Sequence, residues 1–115
     1  MNTYTMAAVA LKLDMRFNTC YNGIPRKHKI GKNKLYANLR YLQFLQEEPY
    51  KNIPFETYFD VGYFSYTNFS RNNRYGFKPL MTEAGVKWLE DDMRDIIIES
   101  EREYLEEYYT TKSFK

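Results

Sequence analysis

A chain of 115 residues that is 43% hydrophobic and 18% aromatic is long enough for one modest core and too short for two. Its twelve Tyr and eight Phe exclude a disordered polymer, because they offer enough apolar area to offset chain entropy. Cys20 is the only cysteine and His28 the only histidine, which excludes an intrachain disulfide and the usual tetrahedral zinc site. No apolar run reaches the ~18 to 20 residues of a membrane span. We therefore expect a cytoplasmic protein with no membrane partner, no metal and no cofactor. The net charge of +2 hides a division: through Thr82 twelve Lys and Arg face five Asp and Glu, whereas from Glu83 onward five face ten. A basic body followed by an acidic C-terminal helix suits a nucleic acid or another anionic partner, with an arm that faces away from it. Charges that only keep the surface solvated are the alternative.

Thr5 is placed to cap a helix over Met6–Leu13, with Met6, Val9, Ala10 and Leu13 at the three- and four-residue spacing of a buried face. Residues 14–31 break that pattern around the turn signal Asn22-Gly23, Pro25 and the basic cluster Arg26, Lys27, His28 and Lys29. A loop is expected there, or a loop holding one short hairpin around 17–24. A second helix should run from about residue 32 to 46, with Leu35, Leu39 and Leu42 inward and Lys32, Asn33, Lys34 and Asn38 on its other face. Pro49 disfavours any continuation.

The aromatic stretch that follows supplies a ribbon. One strand is expected over 62–68, a tip over 70–76 and a returning strand over 77–81, with Pro79 implying an edge position or a bulge. Thr82 should cap a final helix whose stripe of Val86, Leu89, Met93, Ile96, Ile97, Tyr104 and Tyr108 outruns what one small body can cover. The expected fold is therefore α+β and winged-helix-like, a set of helices with a β-hairpin wing over 1–93. A helical extension and short tail occupy 94–115.

The segments TMAAVALKL, IGKNKLYANLR, YKNIPFETYFDVGYF and PLMTEAGVKWL follow one another in this chain. Their order resembles the C-terminal domain of phage antirepressors, the KilA-C type. The matching residues are Gly31, Asn33, Leu35, Tyr36, Leu39 and Arg40, then Pro54, Tyr58, Gly62 and Phe64, then Thr82, Gly85, Trp88 and Leu89. The resemblance implies a DNA-associated, winged-helix-like module from a phage or prophage, standing alone in a bacterial host cell.

Candidate nucleic-acid contacts are Lys32, Asn33, Lys34 and Asn38 on the second helix, Arg71, Asn73 and Arg74 at the ribbon tip, and Arg26, Lys27 and Lys29 in the basic cluster. The asparagines could reach adenine edges and the cations phosphate, with DNA ahead of RNA as the partner. Arg40 should pair with an acid of the final helix, and Trp88 belongs to the core or an interface. Met93, Ile97, Tyr104 and Tyr108 are the candidate homodimer or partner interface. His28 has no Ser, Cys or carboxylate beside it in the sequence, and neither Glu47-Glu48 nor Asp91-Asp92 forms an acid and base couple, so no catalytic residue is assigned. Two functions fit: a non-enzymatic transcriptional regulator, or an inhibitor of a host defence effector, of the anti-CRISPR type, that engages a protein or nucleoprotein.

Overall fold

The computed structural model describes residues 2–48, 51–71 and 74–112, with side chains described except over 66–71, 74–77 and 110–112. Strand β1 (Thr3–Thr5) leads into helix α1 (Met6–Leu13), capped as expected by Thr5, whose hydroxyl accepts from the Ala8 amide at 3.2 Å. Met6, Val9, Ala10 and Leu13 are its buried residues. Asp14 ends it in the left-handed region, and Arg94 donates to the Leu13 carbonyl at 2.5 Å. A guanidinium is thus seated where the helix dipole is negative.

Strands β2 (Arg16–Tyr21) and β3 (Ile24–Lys29) form a complete hairpin. Asn22 and Gly23 both have positive φ, 52° and 76°, the geometry of a two-residue turn that matches strand twist. The hairpin is longer than the sequence pattern suggested: the basic cluster 26–29 is strand, not loop.

Helix α2 (Lys32–Tyr41) starts where expected but stops five residues early. Gln43 turns left-handed at φ 66°, its amide bonds to the Arg40 carbonyl at 3.0 Å, and the Phe44 amide bonds to the Leu39 carbonyl at 2.9 Å. That pair of bonds is a Schellman ending, with Gln where Gly or Asn is usual, so no residue announced it. Phe44 and Leu45 then turn back into the core, Leu45 bridging to Pro54. Arg40 donates to the Asn52 side chain at 2.6 Å, so it ties down this loop rather than pairing with the final helix.

A short helix α3 (Glu56–Asp60) precedes β4 (Phe64–Arg71) and β5 (Arg74–Thr82), which pair antiparallel out to Arg71↔Arg74. The unforeseen β1 completes a sheet of order β1-β5-β4. Pro79 lies just beyond the last β1 partner, Leu80, so β5 has only β4 beside it there, as its missing donor requires.

Thr82 caps helix α4 (Glu83–Trp88), accepting from the Gly85 amide at 3.0 Å while its hydroxyl donates to the Gly62 carbonyl at 2.5 Å. A Cβ on Gly85 would sit 2.1 Å from the Tyr63 carbonyl oxygen, so only glycine permits this approach. Gly62 itself has φ 85°. Next to this junction Trp88 stacks on Tyr63 at 4.6 Å and meets Phe44 edge-on at 4.8 Å. Gly62, Thr82, Gly85 and Trp88 therefore build scaffold.

A π-type turn (Leu89–Met93) continues α4 into α5 (Arg94–Lys112) without a break. The extra residue re-aims the helix: Ile97 is fully buried while Ile96 is 48% exposed. The core joins α1, α2, β5 and this helix through Met6, Leu35, Leu39, Met81, Leu89 and Ile97, all fully buried.

Candidate nucleic-acid interface

The two-residue turn sets the hairpin register, pairing Arg16 with Lys29, Asn18 with Lys27 and Thr19 with Arg26. Alternation then divides the ribbon into two faces. On the inner face, Phe17 and Thr19 are buried, Phe17 stacks on His28 at 5.0 Å, and Thr19 Oγ1 lies 2.8 Å from His28 Nε2. Burial pushes the His28 pKa down, helped by the charges of Lys34 and Arg26 and opposed by Glu101. The outer face presents Arg16, Asn18, Lys27 and Lys29, all exposed. Arg16 donates to Asp14 at 2.9 Å, and this bond holds the Asp14 carboxyl below its usual range.

Arg26 does not share the surface of Lys27 and Lys29. It faces α5, donating to the Tyr109 hydroxyl at 3.4 Å with its guanidinium 5.2 Å from that ring. Arg16 and Asn18 take its place, although the sequence pattern did not single them out. The signal was there: counting back from Asn22-Gly23 puts them opposite the two lysines.

Lys29 leads through Ile30 and Gly31 into α2, so Lys32 and Asn33, both exposed, extend the outer basic surface. Gly31 offers no side-chain cap, and the first turn of α2 holds no acidic residue. Its free amides and the positive end of its dipole therefore reinforce the lysines instead of being neutralised. Lys34, half-exposed, is drawn to Glu101 at 3.8 Å.

Asn38 corrects the expected outward face of α2. Only 4% exposed, it donates to the Lys34 carbonyl at 2.8 Å and to Glu101 Oε2 at 2.9 Å, so it clamps α2 to α5 and reaches no base. Glu101 had signalled nothing in the sequence because it lies among many surface acids. At the ribbon, Arg71 and Arg74 close β4 and β5, with only their backbones described, and Asn73 lies outside the described residues.

The candidate dimer residues divide in the same way. Met93 and Ile97 are core of their own chain, 8% and 0% exposed, and cannot face a partner. Tyr104 and Tyr108 are 63% and 42% exposed. Much of the far helix is covered by its own hairpin: Arg102 lies over Phe17 at 5.6 Å and Tyr109 stacks on Tyr21 at 5.5 Å. Among the described residues no group of three His, Cys, Asp or Glu could hold a metal ion, and no helix is long and apolar enough to cross a membrane.

No family model, curated protein or solved structure matches this chain.

Proposed function

We propose that this chain is a non-enzymatic, winged-helix-like regulator of the phage antirepressor kind that binds duplex DNA in the cytoplasm of a bacterial host. The observation that carries this reading is the exposure of Lys27 and Lys29 on the outer hairpin face and of Lys32 at the uncapped start of α2, three residues further along the chain. Ammonium groups beside free backbone amides are the chemistry of phosphate contact. Asn33, exposed at that same end, is the one asparagine of α2 able to approach a base edge. In this proposal α2 meets the duplex with its N-terminal end. Lying lengthwise in a major groove would bring Glu103 and Glu107 of the neighbouring α5 against phosphate. The β4–β5 ribbon, with Arg71 and Arg74 at its end, serves as the wing.

The test is the salt dependence of duplex binding. Replacing Lys27, Lys29 and Lys32 together by Ala should weaken binding and flatten the log-log slope by about 0.9 for each phosphate that is no longer neutralised. An unchanged slope would remove this face from the interface.

One observation favours a second reading, inhibition of a defence effector by docking on a protein or ribonucleoprotein. Asp92, Asp95, Glu99, Glu103 and Glu106 recur at three- and four-residue spacing, all exposed, so one side of the long helix is a stripe of carboxylates. Such a surface repels nucleic acid and suits a cationic protein face. Failure to bind duplex DNA or RNA even at low salt selects this reading.

A further inference from the structure

We propose that two copies of this chain associate reciprocally, the groove between α2 and α5 of one copy receiving the basic outer face of the other's β2–β3 hairpin. The groove has a volume of about 530 Å³ and is walled by Ala37 and Tyr41 on α2 and by Glu103, Tyr104 and Glu107 on α5. Tyr41 is 76% and Tyr104 63% exposed, so two large rings stand in water along the groove. Exposed aromatics of this size are what an interface buries at its centre.

Charge selects the occupant. Among the described residues Glu103 and Glu107 make no ion pair, and Lys34, the cation lining the groove, is already drawn to Glu101. The groove is therefore left negative. Lys27 and Lys29 on the hairpin's outer face likewise make no ion pair among the described residues. A lysine entering the groove finds both a carboxylate and the face of a tyrosine ring.

The two surfaces adjoin. Lys32 follows the hairpin, and the next two residues, Asn33 and Lys34, line the near end of the groove. A positive area beside a negative one on the same molecule is self-complementary across a two-fold axis, which forms each contact twice and closes the assembly at two copies. Heterologous partners would need to supply the cations; this chain already carries them at the right place.

Lys27 and Lys29 cannot fill the groove and meet phosphate at once, so the dimer is the nucleic-acid-free state and duplex DNA should dissociate it. Sedimentation velocity at low salt, without any nucleic acid, tests the inference separately from the DNA-binding reading. The wild type should form a concentration-dependent dimer in the micromolar range that salt weakens. Glu103→Lys with Glu107→Lys, and separately Lys27→Glu with Lys29→Glu, should each give monomers. Mixed in equal amounts, the two variants should recover a dimer of mixed composition, because both reciprocal contacts then pair opposite charges. Tyr104→Ala should weaken the wild-type dimer at least about tenfold, as loss of a central aromatic does. The substituted side chains are all exposed, so circular dichroism and thermal melts should match the wild type. A wild type that stays monomeric, a dimer indifferent to these substitutions, or variants that fail to combine would each overturn the proposal.

Discussion

The long C-terminal helix is held in two different ways along its length. Its near half, from Glu83 to Ile97, is packed by shape: Val86, Leu89, Met93 and Ile97 are buried, and Gly85 lets the backbone touch the Tyr63 carbonyl. Its far half packs the partly buried Ile98 and Leu105 against the core and relies more on polar and aromatic contacts, with Glu101 clamped by Asn38 and Tyr109 stacked on Tyr21 under Arg26. The near half gains from area removed from water and from close contact, both of which suffer from a single added or missing methyl group. The far half rests on interactions that water partly replaces when they break. Substitutions in the near half should therefore cost global stability, whereas the far half should tolerate more and respond to pH.

Gly85→Ala tests the near half and should have the largest effect. The added carbon would lie 2.1 Å from Tyr63 O and 2.9 Å from Tyr63 C, both backbone atoms that cannot move without displacing the Thr82 cap. We expect a loss of about 3 kcal/mol or more, seen as a fall in melting temperature on the order of 10 °C. Gly31→Ser is the contrast within the same set of motif glycines. Nothing lies within 4 Å of a Cβ at Gly31, its φ of −87° suits any residue, and a hydroxyl there could cap α2. Its change should stay within about 0.5 kcal/mol and lean towards stabilisation. Equal losses at the two glycines would erase the distinction between a packed junction and an open one.

At the boundary between the halves, Asn38→Ala should cost about 2 kcal/mol in denaturant unfolding, in the range of hydrogen bonds to charged groups. It leaves the Glu101 carboxylate, 7% exposed, with Lys34 alone at 3.8 Å. Glu101→Gln keeps the shape and an amide oxygen for Asn38, so its cost should be about 1 kcal/mol or less. A double-mutant cycle between the two sites should show coupling. Additive effects would mean that the clamp contributes nothing as a pair.

How legible each half was in the sequence follows from the same physics. Apolar spacing exposed α1, its Thr5 cap, the Thr82 cap and the inward set Val86, Leu89 and Met93, because burial of area leaves a periodic trace. The end of α2 was hidden because Gln43, not glycine, took the left-handed position. Strand β1 was hidden because three residues carry no period. In the site, Lys27, Lys29, Lys32 and Asn33 are exposed as expected, while Asn38 is buried and Arg26, though exposed, faces α5, both for one reason. A polar side chain on a helix or strand face looks the same in sequence whether it meets water or a partner such as Glu101 or Tyr109. The apolar stripe suggested that something must cover the far helix, and its own hairpin covers much of it.

The smallest effect should come from His28, which lies where the hairpin packs on the far helix. Its ring is stacked on Phe17 and bonded to Thr19, with Lys34 and Arg26 close enough to disfavour a further positive charge. The folded-state pKa is consequently below the ordinary imidazole value near 6.5 that the unfolded chain should show. With the folded value depressed, the contribution of His28 to stability is fully present above pH 6.5. As pH falls, the unfolded chain takes up the proton first, and stability is lost until the folded pKa is passed. Melts followed downward from pH 7 should therefore show stability declining before the carboxylates begin to titrate, and His28→Gln, which cannot take up a proton, should flatten that limb. Because the ring is partly exposed, the change should be small and confined to the pH dependence. An identical decline in the variant would place its origin elsewhere and leave the hairpin contact without a part in the acid response.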